Sequence, residues 1–136
     1  MLVLLVDDDA DDREFFRIAL EEVDPSIKLK NAASGLEALR FVQELNESLG
    51  MIFLDLNMPH MDGREFLLQI KANKQANNIP VVIVTTSNHP RDIEETKVLG
   101  ASDFITKPST IDEFVEALSH IFKTSNKKPI NEKRSN

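Results

Sequence analysis

Five short apolar or alternating runs, each followed by an amphipathic stretch, constrain this chain more than any other feature. Leu2-Val3-Leu4-Leu5-Val6 and Met51-Ile52-Phe53-Leu54 are continuous apolar segments, the signature of strands buried on both faces. Pro80 introduces a third, Val81-Val82-Ile83-Val84. Ile27 to Ala32 alternates as an edge strand does, and Asp103 to Thr106 forms a short fifth run. The intervening segments have helical spacing. Asp11 to Glu22 carries Phe15, Phe16, Ala19 and Leu20 on one broad face, with Val23 just beyond. Ser34-Gly35-Leu36-Glu37 is a capping box, and Leu36, Leu39, Val42 and Leu45 continue from it. Asp62 and Glu65 start a third helix with Phe66, Leu67 and Ile70. Asn88 to Leu99 reads as a fourth, with Gly100 at the place of a left-handed C-terminal residue. Thr110-Ile111-Asp112-Glu113 caps a fifth, with Phe114, Val115, Leu118, Ile121 and Phe122 on its apolar side. Strands alternating strictly with helices predict an α/β fold. Its parallel sheet is joined by right-handed crossovers and covered by helices on both faces.

The 136 residues suffice for one domain with a full core. Residues 1–123 hold all the patterned elements, and 124–136 read as a polar C-terminal tail, too short for a DNA-binding domain. With 0 Cys, disulfides, thiolate metal sites and cysteine nucleophiles are excluded. Leu2–Val6 is far too short to span a bilayer and lacks the flanks of a secretory leader, so a cytoplasmic protein is expected. The net charge of -7 argues against nucleic acid or an anionic membrane as the primary partner.

In doubly wound sheets, ligands bind beyond the carboxyl ends of the strands. The first polar residues met there are Asp7, Asp8 and Asp9 after the first strand and Asp55 after the third. Thr85 and Thr86 follow the fourth strand, and Lys107 follows the fifth. Clustered carboxylates need a compensating cation, and an oxygen-only donor set suits Mg²⁺. A carboxylate facing such an ion could attack a phosphoryl group, and a lysine and a hydroxyl would help carry the charge of the transferring group. Taken singly, each residue has an ordinary reading. The acidic run could be a solvated helix start, Asp55 a turn residue, Thr85 a strand terminus, Lys107 a surface lysine and Phe104 core. Their convergence at four successive strand ends overrides those readings. His60, His89 and His120 have no metal-ligand spacing.

Taken together, these motifs resemble the receiver domain of two-component response regulators, in its single-domain, chemotaxis-regulator-like form. The resemblance rests on Val6-Asp7-Asp8, Asp55-Leu56-Asn57-Met58-Pro59 with Met61-Asp62-Gly63, Val84-Thr85-Thr86, Gly100-Ala101 and Lys107-Pro108, in order and at family intervals. It implies a flavodoxin-like sheet of order 2-1-3-4-5. It also implies a stand-alone phosphoacceptor in phosphorelay signal transduction that catalyses its own phosphotransfer and slow autodephosphorylation. Asp55 matches the phosphoacceptor. Asp7, Asp8 and Asp55, with the backbone carbonyl of Asn57, match the Mg²⁺ ligands. Lys107 matches the lysine that pairs with Asp55 and then with the phosphoryl group. Thr85 matches the switch hydroxyl and Phe104 the switch aromatic, here without a tyrosine's hydroxyl. The bond before Pro108 resembles the family's cis peptide. The implied partners are a histidine kinase or histidine phosphotransfer protein and a downstream effector protein, and the family admits a homodimer. Asp9, a third consecutive carboxylate, reads either as added negative potential or as a metal ligand through water.

Other chemistries fit less well. A haloacid-dehalogenase-type phosphohydrolase needs an acid-base Asp two residues after its nucleophile, and Asn57 stands there and cannot transfer a proton. A flavin carrier would use a Ser/Thr/Gly-rich phosphate loop and stacking rings, but Trp and Tyr are both 0. A calcium loop starting at Asp7 would place Asp12 where glycine is required, and no Gly-x4-Gly-Lys run exists.

Overall fold

The computed structural model describes residues 1–59 and 61–127; His60 and the residues after 127 lie outside it. The elements alternate as β1 (Leu2–Val6), α1 (Ala10–Val23), β2 (Lys28–Ala32), α2 (Gly35–Glu44), β3 (Met51–Leu54), α3 (Gly63–Ala72), β4 (Val81–Thr85), α4 (Pro90–Val98), β5 (Asp103–Thr106) and α5 (Ile111–Lys127). The sheet is parallel throughout, in the order β2-β1-β3-β4-β5. This is the doubly wound, flavodoxin-like architecture expected from the alternation and the resemblance. The helix α5 runs four residues past 123, so part of the expected tail is helical, and the rest falls outside the described residues.

The pleat sorts the strand side chains onto two cores. Leu4, Val6, Ile52, Leu54 and Ile83 face one side, where Ala38, Phe66, Leu67 and Ile70 cover them. Val3, Leu5, Met51, Phe53, Val82 and Val84 face the other, covered by Phe16, Ala19 and Leu20 of α1 and Phe114, Leu118 and Ile121 of α5. Every residue of β3 and β4 is buried, which explains why these runs lack polar alternation. By contrast, β2 is an edge strand with Lys28 and Lys30 exposed, a composition that discourages edge pairing.

Local capping sets the helix starts. Ser34 accepts from the Glu37 amide and Asp62 from the amides of Arg64 and Glu65, as their sequence positions predict. In contrast to the expected start at Asn88, α4 begins at Pro90, with the His89 ring capping the Arg91 amide at 3.1 Å. Proline suits the first helical position because its missing N–H would be unpaired there in any case. Gly100 adopts φ 110°, the left-handed conformation its place after α4 called for. None of the described peptide bonds is cis, so Lys107–Pro108 is trans, contrary to the expectation from the resemblance; the energy gap between the isomers of a bond to proline is small enough for context to select either.

Candidate functional site

The site lies where the strand order reverses, at the C-terminal ends of β1 and β3, with β4 and β5 alongside. Backbone bonds hold these ends at one level. The Asp7 amide donates to the Ala32 carbonyl at 3.0 Å and the Asp55 amide to the Val6 carbonyl at 3.0 Å. The Lys107 amide donates to the Thr85 carbonyl at 2.7 Å. Asp7, Asp55 and Thr85 are therefore each the first residue after, or the last of, a strand paired on both sides, while Lys107 is the first after β5, which pairs with β4 alone.

Asp7 and Asp55 are buried, while Asp8 is exposed at the mouth. One carboxylate oxygen from each lies within 4.8 Å of the others. Gly63 makes this arrangement possible from below. Its amide donates to the Leu56 carbonyl at 2.9 Å. A Cβ at Gly63 would collide with the Asp55 carbonyl oxygen and come within 2.7 Å of the Leu56 Cα. The Met61-Asp62-Gly63 motif thus lets the start of α3 press directly against the backbone that carries Asp55. Asn57 sits exposed at the rim, its amide 3.5 Å from Asp55 Oδ1.

Lys107 reaches in from β5. Its Nζ donates to Asp12 Oδ2 at 2.7 Å and to Asp7 Oδ2 at 3.0 Å, and stands 3.8 Å from Asp55 Oδ2. The sequence reading paired Lys107 with Asp55; the two closer partners are on the α1 side. In the sequence Asp12 belongs to an acidic helix start, with no signal that links it to Lys107. Asp9 has a defined task here. It caps α1, accepting from the Asp11 amide at 2.8 Å and the Asp12 amide at 3.0 Å. Its own amide donates to Asp7 Oδ1 at 3.0 Å, and Arg13 donates to the Asp7 carbonyl at 2.8 Å. The sequence shows an acidic helix start at this point, but not which of the three consecutive aspartates caps it.

The electrostatics follow from burial. Burial pushes the Asp55 carboxyl up to about 6, with the Lys107 charge opposing and the Asp7 charge assisting. Asp7 is also raised by burial, against the lowering effect of its bond from the Asp9 amide and of Lys107. For Lys107, burial acts downward, but the hydrogen bond to Asp12 and the charges of Asp55 and Asp7 together hold the ammonium above its ordinary value. Three carboxylates against one shared ammonium leave an excess of negative charge in a partly buried pocket. Hard oxygen donors in that setting fit a divalent cation.

Thr85 closes the β4 side. It is fully buried, and its Oγ1 is the buried side-chain polar atom left without a hydrogen-bond partner among the described residues. Such an orphan is uncommon and points to function or strain. Phe104 is half-buried and lines, with Ile93, Thr96, Lys97 and Ala101, a crevice of about 300 Å³ under α4. Thus Asp7, Asp8, Asp55 and Lys107 converge in one pocket, Thr85 ends the strand beside it, and Phe104 stands apart under α4.

Comparison with known proteins agrees with this fold. The family pattern for the response regulator receiver domain matches residues 3–119. The response regulator Rcp1 of Synechocystis sp. is 31% identical over 125 residues, covering 88% of this chain and 85% of Rcp1. The crystal structure of the Mn²⁺-bound form of Rcp1 superposes with a TM-score of 0.79 at 28% identity, over 94% of this chain and 96% of the other. The phosphorylated cyanobacterial phytochrome response regulator RcpA superposes with a TM-score of 0.81 at 28% identity, over 94% and 95%. The chain also aligns with longer proteins. It is 34% identical to the transcriptional regulatory protein CpxR homolog of Haemophilus influenzae, spanning 51% of that relative.

Proposed function

This chain belongs to the response regulator receiver domain family, and on that premise we propose that it accepts a phosphoryl group from a phosphohistidine donor onto Asp55 and thereby switches a partner-binding face. The observation that carries this reading is the buried Asp55 carboxylate, grouped with Asp7 and Asp8 within 4.8 Å and with the Lys107 ammonium 3.8 Å away.

In the transfer, an Asp55 carboxylate oxygen bonds to phosphorus as the donor's P–N bond breaks. The imidazole leaves with the electron pair. Hydrolysis reverses the loading: water attacks phosphorus, the bond to Asp55 breaks, and inorganic phosphate departs with the carboxylate restored. Asp7, Asp8 and Asp55 would hold Mg²⁺, with the Asn57 carbonyl, and the ion would neutralise charge on the transferring group. Lys107 supplies a cation to the phosphoryl oxygens, and the Thr85 hydroxyl has a free donor for them. The modification adds about two negative charges and three strong acceptors. It biases an equilibrium of the surface around α4, β5 and α5, with Phe104 packing inward when Thr85 turns toward the site. The donor is a histidine kinase or histidine phosphotransfer protein, the output an effector protein. RcpA, a relative seen phosphorylated, and Rcp1, a relative seen with Mn²⁺, support the same chemistry here.

Intact mass after incubation with acetyl phosphate and Mg²⁺ tests the proposal. One added phosphoryl group is expected, absent from Asp55→Asn and absent when Mg²⁺ is chelated. Uptake at the parent level in Asp55→Asn would refute the assignment.

A further inference from the structure

The hydrogen bonds of Lys107 go to the α1 side of the pocket, not to Asp55. Its ammonium lies 2.7 Å from Asp12 Oδ2 and 3.0 Å from Asp7 Oδ2, against 3.8 Å from Asp55 Oδ2. An ammonium has three donors, so two of them are committed away from the proposed phosphoacceptor. Asp12 is held on a fixed mount. Its amide is bonded to the Asp9 cap, Arg13 beside it is bonded to the Asp7 carbonyl, and the next turn is anchored by the buried Phe16. Asp11, the adjacent acid of the same turn, points elsewhere: it is exposed and makes no ion pair with Lys107.

We propose that Asp12 is a positioning residue that holds Lys107 toward α1 and competes with the phosphorylated Asp55 for its ammonium, shortening the life of the aspartyl phosphate. This rests on the receiver reading above. The phosphoryl oxygens draw Lys107 across the pocket, and whatever Asp12 retains of it is lost to the acyl phosphate. With the competitor gone, Lys107 shields the phosphoryl group more fully from water.

The test loads the full chain with acetyl phosphate and Mg²⁺, removes the donor by desalting, and follows decay of the adduct by intact mass. Asp12→Asn should slow decay about two- to fivefold, the range open to one partly exposed ion pair. Asp12→Glu should restore the parent rate, and Asp11→Asn should stay near it. In a Lys107→Ala background, Asp12→Asn should change nothing. Equal slowing by Asp11→Asn would reduce the effect to general charge and overturn the proposal. So would parent-rate decay in Asp12→Asn, or the same slowing without Lys107. These outcomes leave the receiver reading intact; a parent chain that takes up no phosphoryl group at all removes both.

Discussion

The two flanks of the site are held by different physics. On one side, α1 and α5 lock together through rings: Phe16 and Phe114 lie 5.5 Å apart, Phe15 and Phe114 5.7 Å, and Phe16 and Phe53 4.9 Å. Leu118 and Ile121 continue that seam into the core. On the other side, α4 buries Thr96, whose hydroxyl lies 2.9 Å from the Asp92 carbonyl and 3.2 Å from the Ile93 carbonyl of its own helix. Its large apolar residues stay at the surface, with Val98 76% and Ile93 38% exposed. Charges tether it instead. Arg64 on α3 reaches Glu95 at 2.7 Å and Asp92 at 3.0 Å, and Asp92 accepts from Ser87 in the loop after β4. Apolar burial scales with area and is indifferent to a charge added nearby, whereas partly exposed ion pairs are weak and easily redistributed. The carboxylate and lysine side of the pocket is therefore built on the rigid flank. The Thr85 side adjoins the flank that can move at low cost.

The sharpest break of this contrast is in the rigid flank. Leu118→Ala removes a fully buried side chain and should cost about 2–5 kcal/mol, read by urea unfolding. Val98→Ala on α4 should change stability by about 0.5 kcal/mol or less. Similar losses at the two positions would abolish the distinction between the flanks.

Between the flanks lies Asp55, whose burial carries a cost with a definite pH dependence. Its carboxyl is raised from 3.8 to about 6 in the folded chain. The folded state therefore binds the proton more tightly, and stability falls as pH rises through that interval. The penalty is absent below 3.8, grows toward 6 and is complete above. In chelator, Asp55→Asn should thus be more stable than the parent at pH 7.5 by on the order of 2–3 kcal/mol. The gain should fade toward pH 4. A gain independent of pH would mean that burial of the charge is not its cause.

The contrast also marks what the sequence could convey. Strand positions followed from the apolar runs, and the Ser34 and Asp62 caps from local spacing, because both depend on neighbours in the chain. The candidate site was legible as a set of strand ends: Asp7, Asp8, Asp55 and Lys107 do converge. What was not legible is the choice of partner. Lys107 is 95 residues from Asp12, and which of the three nearby acids take its ammonium depends on the angle at which α1 leaves β1. That angle is set by the Asp9 cap, and three consecutive aspartates do not say which of them caps. The weakness of α4 was hidden in a similar way. The stretch from Asn88 to Leu99 shows no apolar stripe to read, and only the packing shows Ile93 and Val98 exposed.

A smaller effect is expected at the edge of the mobile flank. Thr85 buries a hydroxyl without a partner, and an unsatisfied buried donor costs about 1–3 kcal/mol. Thr85→Val keeps the shape and removes that cost, so it should raise stability by about 1 kcal/mol. Phosphorylation should persist in this variant, but its effect on the α4 face should be lost. Amide exchange of α4 with and without acetyl phosphate reads both effects. A less stable Thr85→Val protein would mean that the hydroxyl is satisfied after all.

The smallest effect tests the tether itself. Arg64 is partly exposed, as are Asp92 and Glu95, so Arg64→Ala should lower global stability by less than about 1 kcal/mol. Its local consequence should be larger than its global one, because the buried side chain of α4 is the polar Thr96 and Ile93 and Val98 stay partly or largely exposed. Hydrogen exchange should quicken in α4 and in the loop carrying Ser87, while α1 and α5 stay protected. Raising the salt concentration in the parent should reproduce part of the change, since screening weakens exposed pairs more than buried contacts. If exchange instead quickened uniformly, α4 would belong to the same cooperative unit as α5. The proposed phosphorylation of Asp55 would then have to move the whole domain rather than one loosely held helix.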